Sequence, residues 1–567
     1  MRMRTWTHGQ RPRTGAPTRH TIGVVIDILV DGYQRTLFES MAHTAREQGV
    51  NVIAFVGGLL PSAHFDLINP ENVDALVVVG TIAHRVGPEG LTEFCRRFSG
   101  IPVVSIGVPV EGVTSIVPQG TAGVTALMTH LMAEHGRRRI AFIRGLGADG
   151  AERYEAFRHS LEEFGVEFRE ELVADGAYLK ESGRDAIKVL CDERRVTFDA
   201  VVAANDYMAL GAVEALEARG FTVPKDIAVV GFDDLVDARN SVVPLTTVQQ
   251  PIRELGRRAI KALLRQLSGR PLSEIPPIIC HPVKRRSCGC VVETPFTRRP
   301  SNPAQKFAST ESALLGRREL VLSDLLRTAQ GELGDVGYHW EERLFDGIVD
   351  ELRGASGNPF LSANEELSRR VSRSSGDVST WQRVLAALRH HVLDCIEDDQ
   401  QLRSAAENAF NDALLVSANV VGREESRRRA ELESLLRNVI QTGNALVTAQ
   451  GHDEITRIIL RELAAVRIPS CYLVRYVDES RDRSQLLLGY DENLDEPAPG
   501  EPLEFDTSTL VPEDLLPLER STAYVLPELG GPGKATGYAL FEYDQREPLV
   551  FEALRDQINA ALQAADK

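Results

Sequence analysis

The chain has 567 residues, of which 43% are hydrophobic and 26% charged, as is typical of globular proteins. This composition excludes a wholly disordered, collagen-like or disulfide-scaffold chain. Acidic residues outnumber basic ones by 81 to 64, so the formal charge is −17. Such a surface repels phosphate backbones unless a local basic patch compensates. Seven cysteines are too few for a disulfide framework and favour a reducing, cytoplasmic compartment.

The first 20 residues form a basic tail with five arginines and no acidic residue. No apolar stretch follows them, which argues against a secretory signal, and no run of about 18 apolar residues predicts a membrane span. We interpret residues 1–20 as disordered, with a phosphate-contacting arm as the alternative. Twenty residues are too few for a helix-turn-helix and a hinge, so direct DNA binding by this segment is not expected.

Residues 21–290 alternate short apolar strands with amphipathic helices, which predicts an α/β fold with parallel sheets. The predicted strands are Ile22–Ile28, Val50–Val56, Ala75–Val79, Val103–Ile106, Ile140–Ile143, Ala200–Ala203 and Ile227–Gly231. The predicted helices are Tyr33–Gln48, Thr121–His135, Ala151–Phe164, Ser182–Asp192, Tyr207–Arg219 and Pro251–Leu267. The segment is longer than one comfortable core, so we expect two lobes.

The second half of the chain divides by pattern into four segments. Residues 291–310 predict a linker, 311–425 a helical domain and 426–450 a coiled-coil-like helix. Residues 451–567 predict an α+β module of about the size of a GAF domain, with strands at Cys471–Val477, Gln485–Leu488, Ala523–Leu526 and Thr536–Tyr543 and a closing helix at Leu549–Leu562. Trp340 and Trp381 lie on apolar helix faces and are interpreted as core anchors.

One apolar stripe in this half leaves two interpretations open. Its members are Leu432, Leu436, Val439, Gly443 and Leu446, which follow one another by steps of four and three residues. This spacing suits a seam between two copies of the helix. With only about two heptads it equally suits packing within the chain's own domain.

Several motifs of residues 21–290 occur in the order found in one known family. They are TIGVVID (21–27), ALVVVG (75–80), IPVVSIG (101–107), GRRRIAFIRG (136–145), FDAVVAANDYMALGAVEAL (198–216), DIAVVGFDD (226–234), PLTTVQQPIRELGRRA (244–259) and RRSCGC (285–290). Together they resemble the effector-binding domain of the lac-repressor family, which is shared with periplasmic sugar-binding proteins. The resemblance implies a two-lobed, type I periplasmic-binding-protein-like fold that closes on a ligand by a hinge motion.

Polar residues that follow the predicted strands mark the expected ligand site, because ligands bind outside the carboxyl ends of parallel strands. The predicted site residues are Asp27, Tyr33, Thr81, Gln119, Arg153, Asn205, Asp206 and Asp233. The resemblance implies that Arg153, Asp206 and Asp233 hold the ligand between the lobes. Gln119 stands where many relatives have an Asp. Tyr33, Tyr207 or Phe232 could offer the apolar face that a sugar ring requires.

Each of these residues also has a structural interpretation. Asn205 or Asp206 could cap the following helix, and Asp233 could cap a turn. Arg153 could pair on the surface with Glu152 or Glu155.

Two further patterns suggest cofactors and are set aside. Gly145–Leu–Gly–Ala–Asp–Gly150 fits the dinucleotide pattern GxGxxG, which as a lone match is weak evidence, and we interpret it as a ligand-side loop. Cys288–Gly–Cys290, near Cys280 and His281, lacks a second pair at zinc spacing, so no metal site is expected. No nucleotide-binding or hydrolase motif is found, so we expect neither a cofactor nor a catalytic residue.

The sequence therefore predicts a cytoplasmic ligand-sensing regulator of signalling or transcription, and not an enzyme. A sugar- or nucleoside-like molecule would bind between the lobes, and closure would pass through a helical dimer segment to the GAF-like module. The expected partners are the effector, a second copy of the chain and an output kinase, cyclase or DNA-binding protein, without a membrane. The alternatives are a non-catalytic input subunit of a two-component or cyclic-dinucleotide complex and, remotely, an NAD-dependent oxidoreductase.

Overall fold

The structure is a computed structural model of the whole chain. It describes residues 19–270, 276–290, 310–329, 333–334, 336–373, 378–396, 399–449, 451–466, 468–492, 503–512, 515–517, 520–531, 534–544 and 548–565. These residues form two compact units, one from within 1–291 and 437–567 and the other from within 292–436. The expected basic tail, apart from residues 19 and 20, and the expected linker up to residue 309 lie outside the described residues.

The first lobe is built on a parallel sheet with the strand order β2-β1-β3-β4-β5. Its elements are β1 (Thr21–Ile26), α1 (Gly32–Glu47), β2 (Asn51–Val56), β3 (Ala75–Val79), α2 (Gly87–Arg96), β4 (Val103–Ile106) and β5 (Thr114–Ile116). All five residues of β3 are buried, because helices and loops cover both faces of the sheet.

The second lobe follows the short strand β6 (Pro118–Gln119) and has a parallel sheet of order β10-β9-β7-β8. Its elements are α3 (Thr121–Thr129), β7 (Ile140–Arg144), α4 (Gly147–Glu163), β8 (Val173–Asp175), α5 (Lys180–Lys188), β9 (Ala200–Ala203), α6 (Asp206–Glu217), β10 (Ala228–Val230), α7 (Val236–Arg239) and β11 (Thr247–Gln249). A π-helical turn, His130–Glu134, continues α3, and another, Val189–Glu193, continues α5.

The chain then returns to the first lobe and crosses back, which makes three crossings between the lobes. Helix α8 (Ile252–Leu267) packs against α1, and Ser40 Oγ donates a hydrogen bond of 2.5 Å to the Arg253 carbonyl. Strand β12 (Ile278–Ile279) pairs with β6 at the crossing, and β13 (His281–Val283) pairs with β11 in the second lobe. The two lobes expected from the sequence are therefore present.

The helical unit has its own core around the two predicted anchor tryptophans. Its elements are α9 (Thr310–Gly316), α10 (Arg318–Ala329), α11 (Trp340–Leu352), α12 (Pro359–Arg373), α13 (Val378–Cys395) and α14 (Gln400–Val447), of which α14 extends beyond the unit. Trp340 and Trp381 are buried with their ring centroids 5.9 Å apart, so both are core residues as predicted. The Trp381 indole N–H donates to Asn364 Oδ1 at 3.0 Å, which satisfies a buried polar group.

The C-terminal module consists, in chain order, of a helix, the strands of an antiparallel sheet and a second helix, as the sequence predicts. Its elements are α15 (His452–Ala465), β14 (Ser470–Tyr476), β15 (Arg483–Asp491), β16 (Leu503–Asp506), β17 (Ala523–Gly531), β18 (Lys534–Glu542) and α16 (Pro548–Ala565), with the strand order β16-β15-β14-β18-β17. Membership of the GAF family stays a prediction.

The sheet of this module continues the sheet of the first lobe, which differs from the separate module expected. Strand β17 pairs in parallel with β2, from Ala523 opposite Val52 to Pro527 opposite Val56. The pairing gives partners to the edge of β2, which would otherwise expose its N–H and C=O groups. Phe55 and Leu526 share one buried core with residues of both sheets, and the buried His64 ring lies 2.9 Å from the Leu526 carbonyl.

The apolar stripe of α14 packs, in its last part, within the chain. Val439 and Leu446 are buried, and the Gln557 side chain of α16 donates to the Val439 carbonyl at 3.0 Å. A Cβ at Gly443 would meet Gln557 at 2.8 Å, so this glycine permits the close approach of the two helices. Leu436 is exposed. These contacts favour packing within the domain for Val439, Gly443 and Leu446, and a dimer seam stays a prediction.

We expect Leu526→Ala to destabilise the joined sheet, because Leu526 is fully buried in the core that both parts share. Removing such a side chain costs about 2–5 kcal/mol. Denaturant unfolding should show the loss, and hydrogen exchange should speed up at the β2 amides more than at those of β9. The exposed Leu549→Ala is the matched control. Equal protection of β2 in Leu526→Ala and Leu549→Ala would contradict the pairing of β2 with β17.

Candidate functional site

Arg153 is a buried cation in the second lobe, facing the first. Its side chain is 7% exposed, its guanidinium lies 3.8 Å from the centroid of the Phe232 ring, and Nη1 donates to the Ala204 carbonyl at 2.5 Å. Its Nη2 lies 3.6 Å from Asp149 Oδ2. Burial alone would lower the pKa of Arg153, but the Asp149 and Asp233 carboxylates outweigh it and raise that pKa. The proposed surface pair with Glu152 or Glu155 is therefore wrong.

Asp233 reaches the site from a strained turn after β10. Asp233 and Asp234 have φ values of 117° and 62°, which place two non-glycine residues in the left-handed region. Arg239 and Arg285 hold the Asp234 carboxylate at 2.8 and 2.6 Å, so Asp234 anchors the turn. Asp233 Oδ1 accepts a hydrogen bond of 2.9 Å from the Gln250 side chain, and its carboxylate acts electrostatically on Arg153.

The first lobe contributes Asp27, Thr81 and Tyr33 to the same place. Thr81 Oγ1 donates to Asp27 Oδ1 at 3.2 Å, so the ends of β1 and β3 meet as expected at the carboxyl edge of the sheet. Tyr33 is half-buried on the first turn of α1, and the charges of Asp233 and Arg153 in the second lobe act on it. The structure thus brings predicted residues of both lobes together.

The lobes touch on both sides of this group of residues. On one side the Gly32 N–H of α1 donates to Tyr207 Oη of the second lobe at 3.0 Å. On the other side the His84 ring stacks on Tyr178, with ring centroids 5.1 Å apart. These contacts join the two lobes, with Arg153 and Asp233 facing Tyr33.

Asp206 and Asn205 have structural partners in this arrangement. Asp206 is fully buried, its Oδ1 accepts from Thr247 Oγ1 at 2.6 Å, and its Oδ2 accepts from the Leu235 N–H at 2.8 Å. Burial raises the pKa of Asp206 well above its usual range. Asn205 caps α6, because its side chain accepts a hydrogen bond of 2.9 Å from the Met208 N–H. The structural interpretation of Asn205 as a helix cap is therefore confirmed. A ligand contact by either residue stays a prediction.

Gln119 has no hydrogen bond to any of the other predicted residues among those that the structure describes. It is exposed in β6, and its carbonyl accepts from the Cys280 N–H at 3.4 Å across the lobe crossing. Its side chain makes no hydrogen bond to any described residue. Its ligand role stays a prediction, and its observed role is in the backbone of a crossing strand.

Four residues of the site were not predicted. They are Asp31, His84, Asp149 and Tyr178. Tyr178 donates to Asp149 Oδ2 at 3.0 Å, which places Asp149 beside Arg153. Asp149 is the polar residue within the GxGxxG segment 145–150, and this position is the sequence signal that could have identified it.

The glycines of that pattern serve packing and not a dinucleotide. A Cβ at Gly145 would lie 2.4 Å from the Tyr178 hydroxyl, and one at Gly150 would lie 2.4 Å from the Gly145 carbonyl. Asp149 occupies the first turn of α4, where a pyrophosphate would have to bind. Its negative charge disfavours such a ligand, so the site does not fit NAD.

The site holds more acidic than basic groups. Burial raises the pKa of Asp31 to about 6 and, although the Arg153 cation opposes this, that of Asp233 to about 7. Burial also raises the pKa of Asp27. A further anion would add to this crowding, whereas hydroxyl or amine donors would find carboxylate acceptors. The arrangement therefore favours a neutral or cationic ligand with several hydrogen-bond donors.

The chain is similar to a periplasmic-binding domain and to several bacterial regulators. Residues 129–288 match the model of a periplasmic binding protein-like domain. The chain is 33% identical over 254 residues to the transcriptional regulator CelR of Thermobifida fusca, a match that covers 44% of this chain and 68% of that protein. It is 28% identical to the repressor PurR of Haemophilus influenzae over 44% of this chain and 75% of that one. The crystal structure of the Escherichia coli repressor AscG is 25% identical, covers 47% of this chain and 98% of its own, and has a TM-score of 0.41.

The two lobes, the three crossings and the facing polar residues define a type I periplasmic-binding-protein-like ligand domain. The regulator CelR is 33% identical to this chain over 68% of CelR's own length. The chain therefore belongs to the LacI family, as the sequence motifs imply. These relatives are transcriptional regulators by name, which agrees with the prediction that the chain is not an enzyme. Among the described residues, none of the helices is both long and apolar enough to cross a membrane.

We expect the unliganded chain to unfold at higher temperature as the pH is lowered from about 8 to about 5.5. Asp233 has a raised folded pKa of about 7 against a usual 3.8, so in this range the folded state binds a proton that the unfolded state does not. The stability from this group is complete below the unfolded pKa and is lost as the pH rises through the folded one.

Thermal unfolding of Asp233→Asn should therefore depend less steeply on pH than that of the wild type, because the amide cannot titrate. Asp185→Asn, at an exposed position of α5, serves as the control and should keep the wild-type slope. An unchanged slope in Asp233→Asn would show that other groups carry the dependence.

Proposed function

We propose that this chain is a ligand-sensing regulator whose two lobes close on a neutral, hydroxyl-rich small molecule, such as a sugar or a nucleoside. The observation that carries the proposal is the position of Arg153. This buried cation stacks on Phe232, lies beside Asp149 and Asp233, and faces Tyr33 of the opposite lobe. A fixed guanidinium with flanking carboxylates suits a ligand that presents both acceptors and donors.

The choice of a neutral ligand follows from the charges. Asp149 and Asp233 flank Arg153, Asp31 acts electrostatically on Asp233, and burial already raises the pKa of Asp27, Asp31 and Asp233. Neutral hydroxyls can donate to these carboxylates without adding charge. Tyr33 is the aromatic residue best placed to contact a ring, since Arg153 covers a face of Phe232 and Tyr207 bonds to Gly32.

Regulation would result from a shift between open and closed lobes. A ligand changes this equilibrium only by binding one arrangement more tightly than the other. The contacts of Tyr207 with Gly32 and of Tyr178 with His84 join the two lobes, so opening would break them and a ligand that holds the lobes together would stabilise them. The pairing of β17 with β2 would make the C-terminal module move with the first lobe.

The remaining parts of the proposal rest on the family and on the sequence. The GAF-like character of residues 451–567, a homodimer, a cytoplasmic location and an output through a kinase, a cyclase or a DNA-binding protein are all proposed. Transcriptional regulation is the favoured output, because the relatives CelR and PurR are transcriptional regulators by name.

Isothermal titration of the full chain tests the ligand class. The panel consists of neutral mono- and disaccharides, nucleosides, and the phosphate ester of each. We expect heat from a neutral compound and weaker binding of its phosphate, because the site is rich in carboxylates. Tighter binding of the phosphate would overturn the assignment of a neutral ligand, and no heat from any compound would overturn the proposed ligand class.

We expect Arg153→Met to weaken binding of the compound so identified by about 10- to 100-fold, since hydrogen bonds to charged groups contribute about 1.5–3 kcal/mol. Arg158→Met changes an arginine of the same helix that pairs with Glu155 at the surface, and it should bind like the wild type. Thermal unfolding confirms that both variants are folded. Wild-type affinity in folded Arg153→Met would remove Arg153 from the ligand site.

A further inference from the structure

Two histidines and two cysteines converge in the second lobe, away from the ligand site. They are His130 and His135, at the end of α3, and Cys288 and Cys290, in the tail that follows β13. Their side-chain donor atoms all lie within 4.8 Å of one another. His130 and Cys288 are buried, whereas His135 and Cys290 are partly exposed, so solvent reaches one side of the group.

The local backbone brings these side chains to one point. On a regular α-helix, residues five apart point about 140° away from each other. The π-helical turn at His130–Glu134 changes this angle, and the His130 and His135 rings come to 4.7 Å between centroids. Gly289 has a φ of 110°, which lets the tail turn so that the sulfurs on both sides of it face the histidines.

The distances fit the edges of a tetrahedron around a metal ion. The His130 and His135 Nε2 atoms are 3.1 Å apart, and His130 Nε2 lies 3.4 Å from each of the two sulfurs. Cys290 Sγ is 3.5 Å from His135 Nε2. Zinc bonds of about 2.0 Å to nitrogen and 2.3 Å to sulfur place tetrahedral ligands about 3.3–3.8 Å apart.

A carboxylate lies beside the buried histidine, on the side away from the two sulfurs. His130 Nδ1 lies 2.8 Å from Glu134 Oε2, and Lys284 Nζ donates to the same carboxylate at 2.9 Å. A proton on Nδ1, beside this carboxylate, would leave the lone pair on Nε2, the atom that lies nearest the two sulfurs and His135. Ligating histidines commonly donate their other N–H to a carboxylate in this way.

We propose that His130, His135, Cys288 and Cys290 bind one structural Zn²⁺ ion. The expectation of no metal site rested on the lack of a second pair near Cys288–Gly–Cys290. The second pair comes instead from α3, some 150 positions earlier in the chain. Two thiolates and two neutral imidazoles balance the charge of Zn²⁺, and four protein ligands leave no open position for catalysis.

The ion would fix the tail of the ligand domain to α3. Cys290 precedes residues 291–309, through which the chain leaves this domain, and α3 begins directly after the crossing strand β6. The zinc site would therefore connect the exit of the chain with a helix that starts at the hinge between the lobes.

Metal analysis of the full chain tests the proposal. Protein purified from zinc-supplemented cells without chelator should contain about one zinc per chain. Cys290→Ser should lose most of it, and Cys191→Ser, at a partly exposed cysteine of the same lobe, should retain it. Chelator-treated protein titrated with Co²⁺ should develop thiolate-to-metal charge-transfer and tetrahedral d–d absorption bands, which report ligands independently of stability.

Glu134→Gln keeps all four ligands and should weaken zinc binding by about 10- to 100-fold in competition with a chromophoric chelator. Glu162→Gln, an exposed residue near His159, is its control. Absence of zinc together with absence of the cobalt bands would overturn the site. A disulfide between Cys288 and Cys290 in metal-free native protein, detected by mass spectrometry, would overturn it as well.

Discussion

The ligand domain depends on the burial of one positive charge. Arg153 is removed from water in the second lobe, and burial of a lone guanidinium would cost several kcal/mol. Asp149, Asp233, the Ala204 carbonyl and the Phe232 ring face compensate for the lost hydration. Because two of these partners are carboxylates, the charge balance of the cleft is sensitive to what binds there and to how closely the lobes approach.

The sequence predicted most of the framework of this domain, because its strands are apolar and its helices periodic. Strand β3 begins and ends where predicted, and α6 begins one residue early. The strands that were missed, such as β5 and β8, have three residues each, too few to show a pattern. Thr81 and Asp27, both predicted site residues, meet because β1 and β3 are parallel and their carboxyl ends lie at the same edge of the sheet. The alternation of strands and helices in the sequence predicts such parallel strands.

What the sequence could not predict depends on contacts between distant segments. Asp206 and Arg153 have similar sequence evidence, but Thr247 and the Leu235 N–H bind both oxygens of Asp206. His130 appears as an ordinary helix residue until the π-helical turn and the tail bring Cys290 beside it. The pairing of β17 with β2 joins segments more than 450 residues apart, and the composition of the two strands does not identify which strand pairs with which.

The joined sheet and the histidine–cysteine cluster act on opposite lobes. Strand β17 attaches the C-terminal module to the first lobe through backbone hydrogen bonds, a shared core and the contact of His64 with Leu526. The cluster ties the exit tail to α3 in the second lobe. The chain therefore leaves the ligand domain from the second lobe, after Cys290, and its C-terminal module is attached to the first lobe through β17. Under the proposed closure, movement of one lobe against the other would therefore be felt at both attachment points without a further contact to the ligand.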